Sequence, residues 1–112
     1  MGPDYIDAAY LARAAGRPCY NLDLFFCPGK SLKQSFSRGT KGTDIAIAEG
    51  VMGLFDGLGG TPRASTAEVA KTLGLPVVLV LPAQGLSGTA AALLKGLLEF
   101  DPHLKFQGLI LN

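Results

Sequence analysis

The sequence predicts an α/β domain built on a parallel sheet, and three observations predict it. Three short apolar runs, at 44–48, 76–81 and 106–111, have the length and composition of strands. Helical patterns separate them, and strand, helix, strand, helix, strand in that order makes right-handed βαβ units. The middle run, Pro76-Val77-Val78-Leu79-Val80-Leu81, is continuously apolar. That pattern suits a strand with helices on both faces of its sheet.

Along the chain, the first helix is expected from Ala8 to Ala15, with Asp7 as its cap and Gly16 as its stop. A second runs from Ser31 to about Arg38 and ends at Gly39. The first strand, Asp44-Ile45-Ala46-Ile47-Ala48, ends on Glu49. Ser65-Thr66-Ala67-Glu68 has the form of a capping box, with Ser65 as N-cap and Glu68 reaching back. Val69 and Leu73 give that helix an apolar face, and Gly74 stops it. After the second strand, Ser87 or Thr89 opens a helix whose apolar stripe is Leu93, Leu94, Leu97, Leu98 and Phe100. Asp101-Pro102 ends it, because the residue before proline avoids helical dihedrals. The third strand leads to Asn112.

No repeat and no low-complexity linker interrupts the sequence, so residues 1–112 are expected to form one domain. Three strands with two faces to cover are a thin sheet. No helix follows the third strand, and no strand precedes Gly2-Pro3-Asp4. The expected sheet is therefore incomplete, with sequence missing on either side.

An apolar fraction of 48% against 17% charged residues excludes a disordered chain. A net charge of +1 supplies no attraction for nucleic acid or an anionic membrane. The longest apolar run, 76–83, is far too short to span a bilayer. The start has no basic and apolar leader pattern, so a cytoplasmic protein is expected. Cys19 and Cys27 form no CxxC pair and the chain has one histidine, so a thiolate or imidazole metal centre is not expected. The two cysteines are expected as unpaired thiols.

Ligands of open parallel sheets sit beyond the carboxyl ends of the strands. Three features fall there: the run from Glu49 to Gly57, the run Pro82-Ala83-Gln84-Gly85, and Asn112. Glu49 is the sharpest. A carboxylate directly after apolar strand residues is costly to bury unless a cation shares its charge. Position alone does not separate a Mg²⁺ ligand from an exposed strand-end acid. Gly50, Gly53, Gly57, Gly59 and Gly60 let the backbone after Glu49 approach a ligand closely. His103 lies in a turn and reads as a solvated loop residue. No Gly-x-x-x-x-Gly-Lys-Ser/Thr occurs. Gly29-Lys30-Ser31 has its last three residues, but no strand precedes it, and it reads as a turn.

Several of these segments together resemble one family. They are Gly2-Pro3-Asp4-Tyr5-Ile6-Asp7, Gly16-Arg17-Pro18, Asn21-Leu22-Asp23, Glu49-Gly50-Val51-Met52-Gly53-Leu54-Phe55-Asp56-Gly57, Ser65-Thr66-Ala67-Glu68-Val69-Ala70, Phe100-Asp101-Pro102 and Gly108-Leu109-Ile110-Leu111-Asn112. In this order they are similar to the cobyrinate a,c-diamide synthases. The resemblance covers almost the whole chain, and the segment from Glu49 to Gly57 is its most specific part.

The resemblance implies a P-loop, dethiobiotin-synthetase-like nucleotide-binding domain. It implies an ATP- and Mg²⁺-dependent amidation of the a and c acetate carboxylates of cobyrinate, in cobalamin biosynthesis, through acyl phosphates. Ammonia would come from glutamine at a separate glutaminase domain. Position by position, Glu49 and Asp4 would hold Mg²⁺ and serve catalysis. Tyr5 and Ile6 would line the corrinoid site. The backbone at Ser65 and Thr66 would meet a substrate carboxylate, and Asn112 would recognise adenine. Neither the family's phosphate-binding loop nor its glutaminase cysteine has a counterpart in these residues, and Pro82-Ala83-Gln84 stands where the family has a different stretch. Two alternatives remain open at this point: a non-catalytic nucleotide-binding-like module, and a synthase for another tetrapyrrole such as nickel-sirohydrochlorin. Whether the chain forms a homo-oligomer is also open.

Overall fold

The computed structural model describes residues 6–112. The chain divides into two compact units, Met1–Leu73 and Gly74–Asn112. No linker marks this division in the sequence. It falls at the glycine that stops a helix.

In the first unit, α1 (Asp7–Ala15) starts one residue before the expected helix. Ile6 takes the N-cap position, with no side-chain cap bond, so Asp7 is the first helical residue and not the cap. Gly16 ends the helix in the left-handed conformation, φ 62°. The next residue, Arg17, donates to the carbonyls of Lys41 and Gly42 at 2.9 and 3.1 Å. That ties the end of α1 to the turn that follows α2 (Gly29–Gly39).

Helix α2 begins at Gly29 behind Pro28, so Gly29-Lys30-Ser31 is the opening of a helix and not a turn. Proline at this boundary has no N–H to lose. Helix α3 (Thr66–Leu73) packs on α2. Among the described residues of the unit, the buried apolar side chains come from these two helices: Leu32, Ala67, Val69 and Ala70. Gly29 lies beside Thr72, where an added Cβ would stand 3.4 Å from its methyl group.

Residues 44–48 form no strand, contrary to the sequence expectation. Ile45 and Ile47 are 76% and 88% exposed. Alternating Ile and Ala supply β propensity, but a strand exists only by pairing. Among the described residues nothing pairs with this segment.

The second unit holds β1 (Val77–Leu81), α4 (Gly88–Phe100) and β2 (Phe106–Leu111). The strands pair in parallel, Val78 with Gly108, Leu79 with Leu109, Val80 with Ile110 and Leu81 with Leu111. Pairing continues past β1: Asn112 donates to Leu81 O at 3.0 Å and accepts from Ala83 N–H at 2.7 Å. A parallel α/β arrangement is thus present, with two strands where three were expected. The expected cover on both faces is not. Val78 and Val80 are 52% and 56% exposed, and α4 buries none of its residues. Its stripe residues Leu93, Leu98 and Phe100 also face solvent. Continuous apolar sequence shows what a strand is suited to, and other parts of a fold must supply the cover.

Candidate functional site at the start of helix α3

The site is built from the loop 49–57 and the first turn of α3. Gly50 lies against Thr66. An ideal Cβ on Gly50 would stand 2.6 Å from Thr66 Cγ2 and 2.9 Å from its Oγ1. Leu54 O accepts the N–H of Ala67 at 2.9 Å, fixing the same loop to the same turn. Between these points Asp56 N–H donates to Gly53 O at 3.0 Å, and the Asp56 carboxylate folds over Gly53 where a Cβ would go. Two residues far apart in the sequence, Gly50 and Thr66, are thereby brought into contact, and Glu49 precedes Gly50 in the chain.

The glycines of the loop do not act as expected from sequence. Gly50, Gly53 and Gly57 make room for the protein itself. Gly57 faces the carbonyls of Arg63 and Thr61, with the neighbouring Leu58 N–H donating to Arg63 O at 2.9 Å. Gly59 and Gly60 serve a turn, with φ of 63° and 74° and nothing near their Cβ positions.

The turn before α3 has its own support. Ala64 is in the left-handed region, φ 60°, unusual for a residue with a side chain. The Glu68 carboxylate accepts the Ala64 N–H. Ser65 Oγ accepts the N–H of Glu68 at 3.3 Å. The reciprocal cap expected from the sequence is therefore present, but Glu68 reaches one residue further back than the cap itself. Ser65 N–H is already donated to Pro62 O at 3.1 Å. Of the N–H groups opening α3, those of Ala67 and Glu68 are taken by Leu54 O and Ser65 Oγ. The N–H of Thr66 keeps no partner among the described residues.

Glu49 is exposed, and its carboxylate makes no hydrogen bond or ion pair among the described residues. No group of three metal-ligating side chains occurs among them. Mg²⁺ is commonly held by one or two carboxylates with water and substrate phosphates completing the shell. One free carboxylate on an anchored loop fits that donor set.

The other expected site residues lie elsewhere. Asp4 and Tyr5 fall outside the described residues. Ile6 is 71% exposed at the start of α1. Asn112 stands in the second unit, at the carboxyl ends of both strands, with its backbone engaged and its side chain exposed. His103 is an exposed turn residue whose N–H donates to Asp101 Oδ1 at 2.9 Å. Cys19 and Cys27 are both free. No helix among the described residues is long and apolar enough to cross a membrane.

The chain is 48% identical over 113 residues to the cobyrinate a,c-diamide synthase of Syntrophotalea carbinolica, covering 100% of this chain and 25% of that protein. It is 49% identical over 113 residues to the hydrogenobyrinate a,c-diamide synthase of Streptomyces coelicolor, covering 100% and 23%. It is 49% identical over 112 residues to the cobyrinate a,c-diamide synthase of Clostridium tetani, covering 100% and 25%. The chain is homologous to one segment of the a,c-diamide synthases. It spans about a quarter of the length of these curated relatives. No family profile matches the chain. No solved structure matches it either. The a,c-diamide synthase resemblance read from Glu49–Gly57 and its companion segments therefore stands.

Proposed function

We propose that this chain is the substrate-activating part of an a,c-diamide synthase, working on the acetate carboxylates of cobyrinate or hydrogenobyrinate. The observation that carries this reading is the docking of the Glu49–Gly57 loop on the first turn of α3. It sets Gly50, the residue after Glu49, against a helix start in a chain whose relatives are named for diamide synthesis.

A carboxylate is a poor acyl donor, so amidation needs its oxygen converted to a leaving group. Phosphoryl transfer from ATP does this, and ammonia released from glutamine elsewhere then displaces phosphate. Mg²⁺, when bound, supplies positive charge against the transferring phosphoryl group. Glu49, with Asp4, holds that ion. The Thr66 N–H, without a partner among the described residues and at the positive end of α3, meets the substrate carboxylate beside Ser65. Tyr5 and Ile6 contact the corrinoid, and Asn112 recognises adenine.

The deciding experiment is Glu49→Gln in the full-length protein that carries this segment, followed by ADP release and diamide formation. Glutamine keeps the shape and removes the charge. Amidation is expected to fall by roughly two orders of magnitude, the scale of losing one preorganised electrostatic contact. Thermal unfolding should hardly change, because the Glu49 side chain is exposed and supports nothing. Near-parental amidation at saturating Mg²⁺ would remove Glu49 from the metal and leave a non-catalytic module as the better account.

A further inference from the structure

We infer that Gly50 is a positioning residue whose missing side chain seats Glu49 against Thr66 at the start of α3. This rests on the metal-holding role proposed for Glu49. Gly50 is not in the left-handed region, where Gly16, Gly42, Gly59, Gly60, Gly74 and Gly85 are found. Its backbone is open to any residue, so what it requires is space. That space is occupied by Thr66: an added Cβ would meet Cγ2 at 2.6 Å, Oγ1 at 2.9 Å and Cβ at 3.3 Å. Carbon atoms rest at about 3.5–4.0 Å, so a methyl group on residue 50 forces one side of this contact to move.

Thr66 cannot yield easily. It is the first residue of α3, between Ser65, which is 1% exposed, and Ala67, also 1% exposed. Its β-branched side chain has few rotamers. The loop is the softer partner. It is held by the Leu54–Ala67 bond four residues further on, while the backbone of residues 49–51 forms no regular element. A side chain at position 50 therefore displaces Glu49, directly adjacent, and leaves α3 in place. The glycine contributes to the site by letting the carboxylate-bearing backbone lie within contact distance of a helix start.

The test is a mutant cycle in the full-length protein carrying this segment, with Gly50→Ala, Thr66→Ala and the double variant. Thr66→Ala removes the two atoms closest to the new methyl group and keeps the backbone N–H. Three quantities are read for each: amidation rate, the Mg²⁺ concentration giving half-maximal rate, and the unfolding midpoint. Gly50→Ala alone should lower the rate at least tenfold and raise the Mg²⁺ requirement. In the Thr66→Ala background the same substitution should cost less than threefold, with the Mg²⁺ requirement returned towards that of Thr66→Ala. The unfolding midpoints should show the same coupling, which reads the contact without catalysis. Thr66→Ser, which removes only Cγ2, should restore part of the loss.

Equal losses from Gly50→Ala in both backgrounds would overturn the inference. So would a rate loss with an unchanged Mg²⁺ requirement, since that shows a structural defect only. Glu49→Gln is measured in parallel. If it is fully active while residues 50 and 66 remain coupled in unfolding, the contact is real but the positioning role fails with the metal reading. If it is inactive while Gly50→Ala is normal, the metal reading stands and the positioning inference fails alone.

Discussion

Leu54 and Ala67 are joined by one backbone hydrogen bond, Ala67 N–H to Leu54 O at 2.9 Å, and it does two jobs. It satisfies a donor in the first turn of α3, one of four that a helix leaves unpaired. It also converts the loop from Glu49 to Gly57 from a free connection into an attachment of that helix. The glycines on either side of Leu54 then make sense as places where the loop must pass close to itself or to α3.

Gly57 gives the sharpest stability prediction. Its Cβ position is blocked by two backbone carbonyls, of Arg63 and Thr61. Backbone cannot swing aside as a side-chain tip does. Gly57→Ala should destabilise the first unit by about 1–3 kcal/mol, the usual cost of forced overpacking. Urea unfolding of the parent and variant reads this as a lower midpoint. Gly59→Ala is the comparison. Nothing lies near its Cβ, so its smaller cost comes from φ 63° alone.

The turn into α3 predicts opposite signs for two substitutions at one position. Ala64 has φ 60°. Glycine removes a strain of about 1–2 kcal/mol and adds unfolded-chain freedom of about 0.4–1 kcal/mol. Ala64→Gly should therefore be neutral to slightly stabilising. Ala64→Val, with a branched Cβ, should destabilise. Two unfolding curves decide it, and a loss of stability with glycine would show that the left-handed conformation is not kept in solution.

Ser65→Ala should cost about 1 kcal/mol, the typical value for an N-cap hydroxyl. The Glu68 N–H loses Ser65 Oγ and, beside a residue only 1% exposed, water replaces it poorly. Helix content by circular dichroism and the unfolding midpoint should fall together. An unchanged midpoint would mean that the Glu68 carboxylate at Ala64 N–H suffices to open the helix.

Those local features explain what was legible. The stops at Gly16 and Gly74, the cap at Ser65 and the two strands after residue 74 follow from short-range chemistry, and all are present. The segment 44–48 was not, because its propensity is local and its pairing is not. At the site, Glu49 stood out by charge after an apolar run. The contact that anchors its loop joins Gly50 to Thr66, 16 residues apart in sequence, and no spacing rule connects them. Gly50 carried a faint signal as one glycine among several. The Thr66 methyl group and a backbone outside the left-handed region separate it from Gly59, which has φ 63° and no atom within 4 Å of its Cβ position among the described residues.

The isolated 112-residue chain should not hydrolyse ATP. None of its residues form the glycine-rich loop and lysine that surround the β and γ phosphates in enzymes of this chemistry. A single carboxylate such as that of Glu49 supplies no cradle for those phosphates. Phosphate release by the purified chain, above that of its Glu49→Gln variant, would overturn this.

The last prediction concerns the open face of the sheet. In a parallel pair, partners in register share a face, so Val78 and Val80 of β1 stand beside Gly108 and Ile110 of β2. Val78, Val80 and Ile110 are 52%, 56% and 52% exposed, a contiguous apolar surface. Surfaces of this kind on a free chain are sites of association, and a two-stranded sheet adds unpaired edges. The isolated chain should therefore self-associate as its concentration rises, seen as growing mass in light scattering after gel filtration. Val80→Lys with Ile110→Lys should restore the monomer. Both side chains are half in solvent, so long charged residues reach water without burying their ammonium groups. The unfolding midpoint should stay close to the parent's, and the two strands should remain paired because Leu81 on the other face is still buried. A parent chain that stays monomeric at every concentration tested would show that this face is covered in solution.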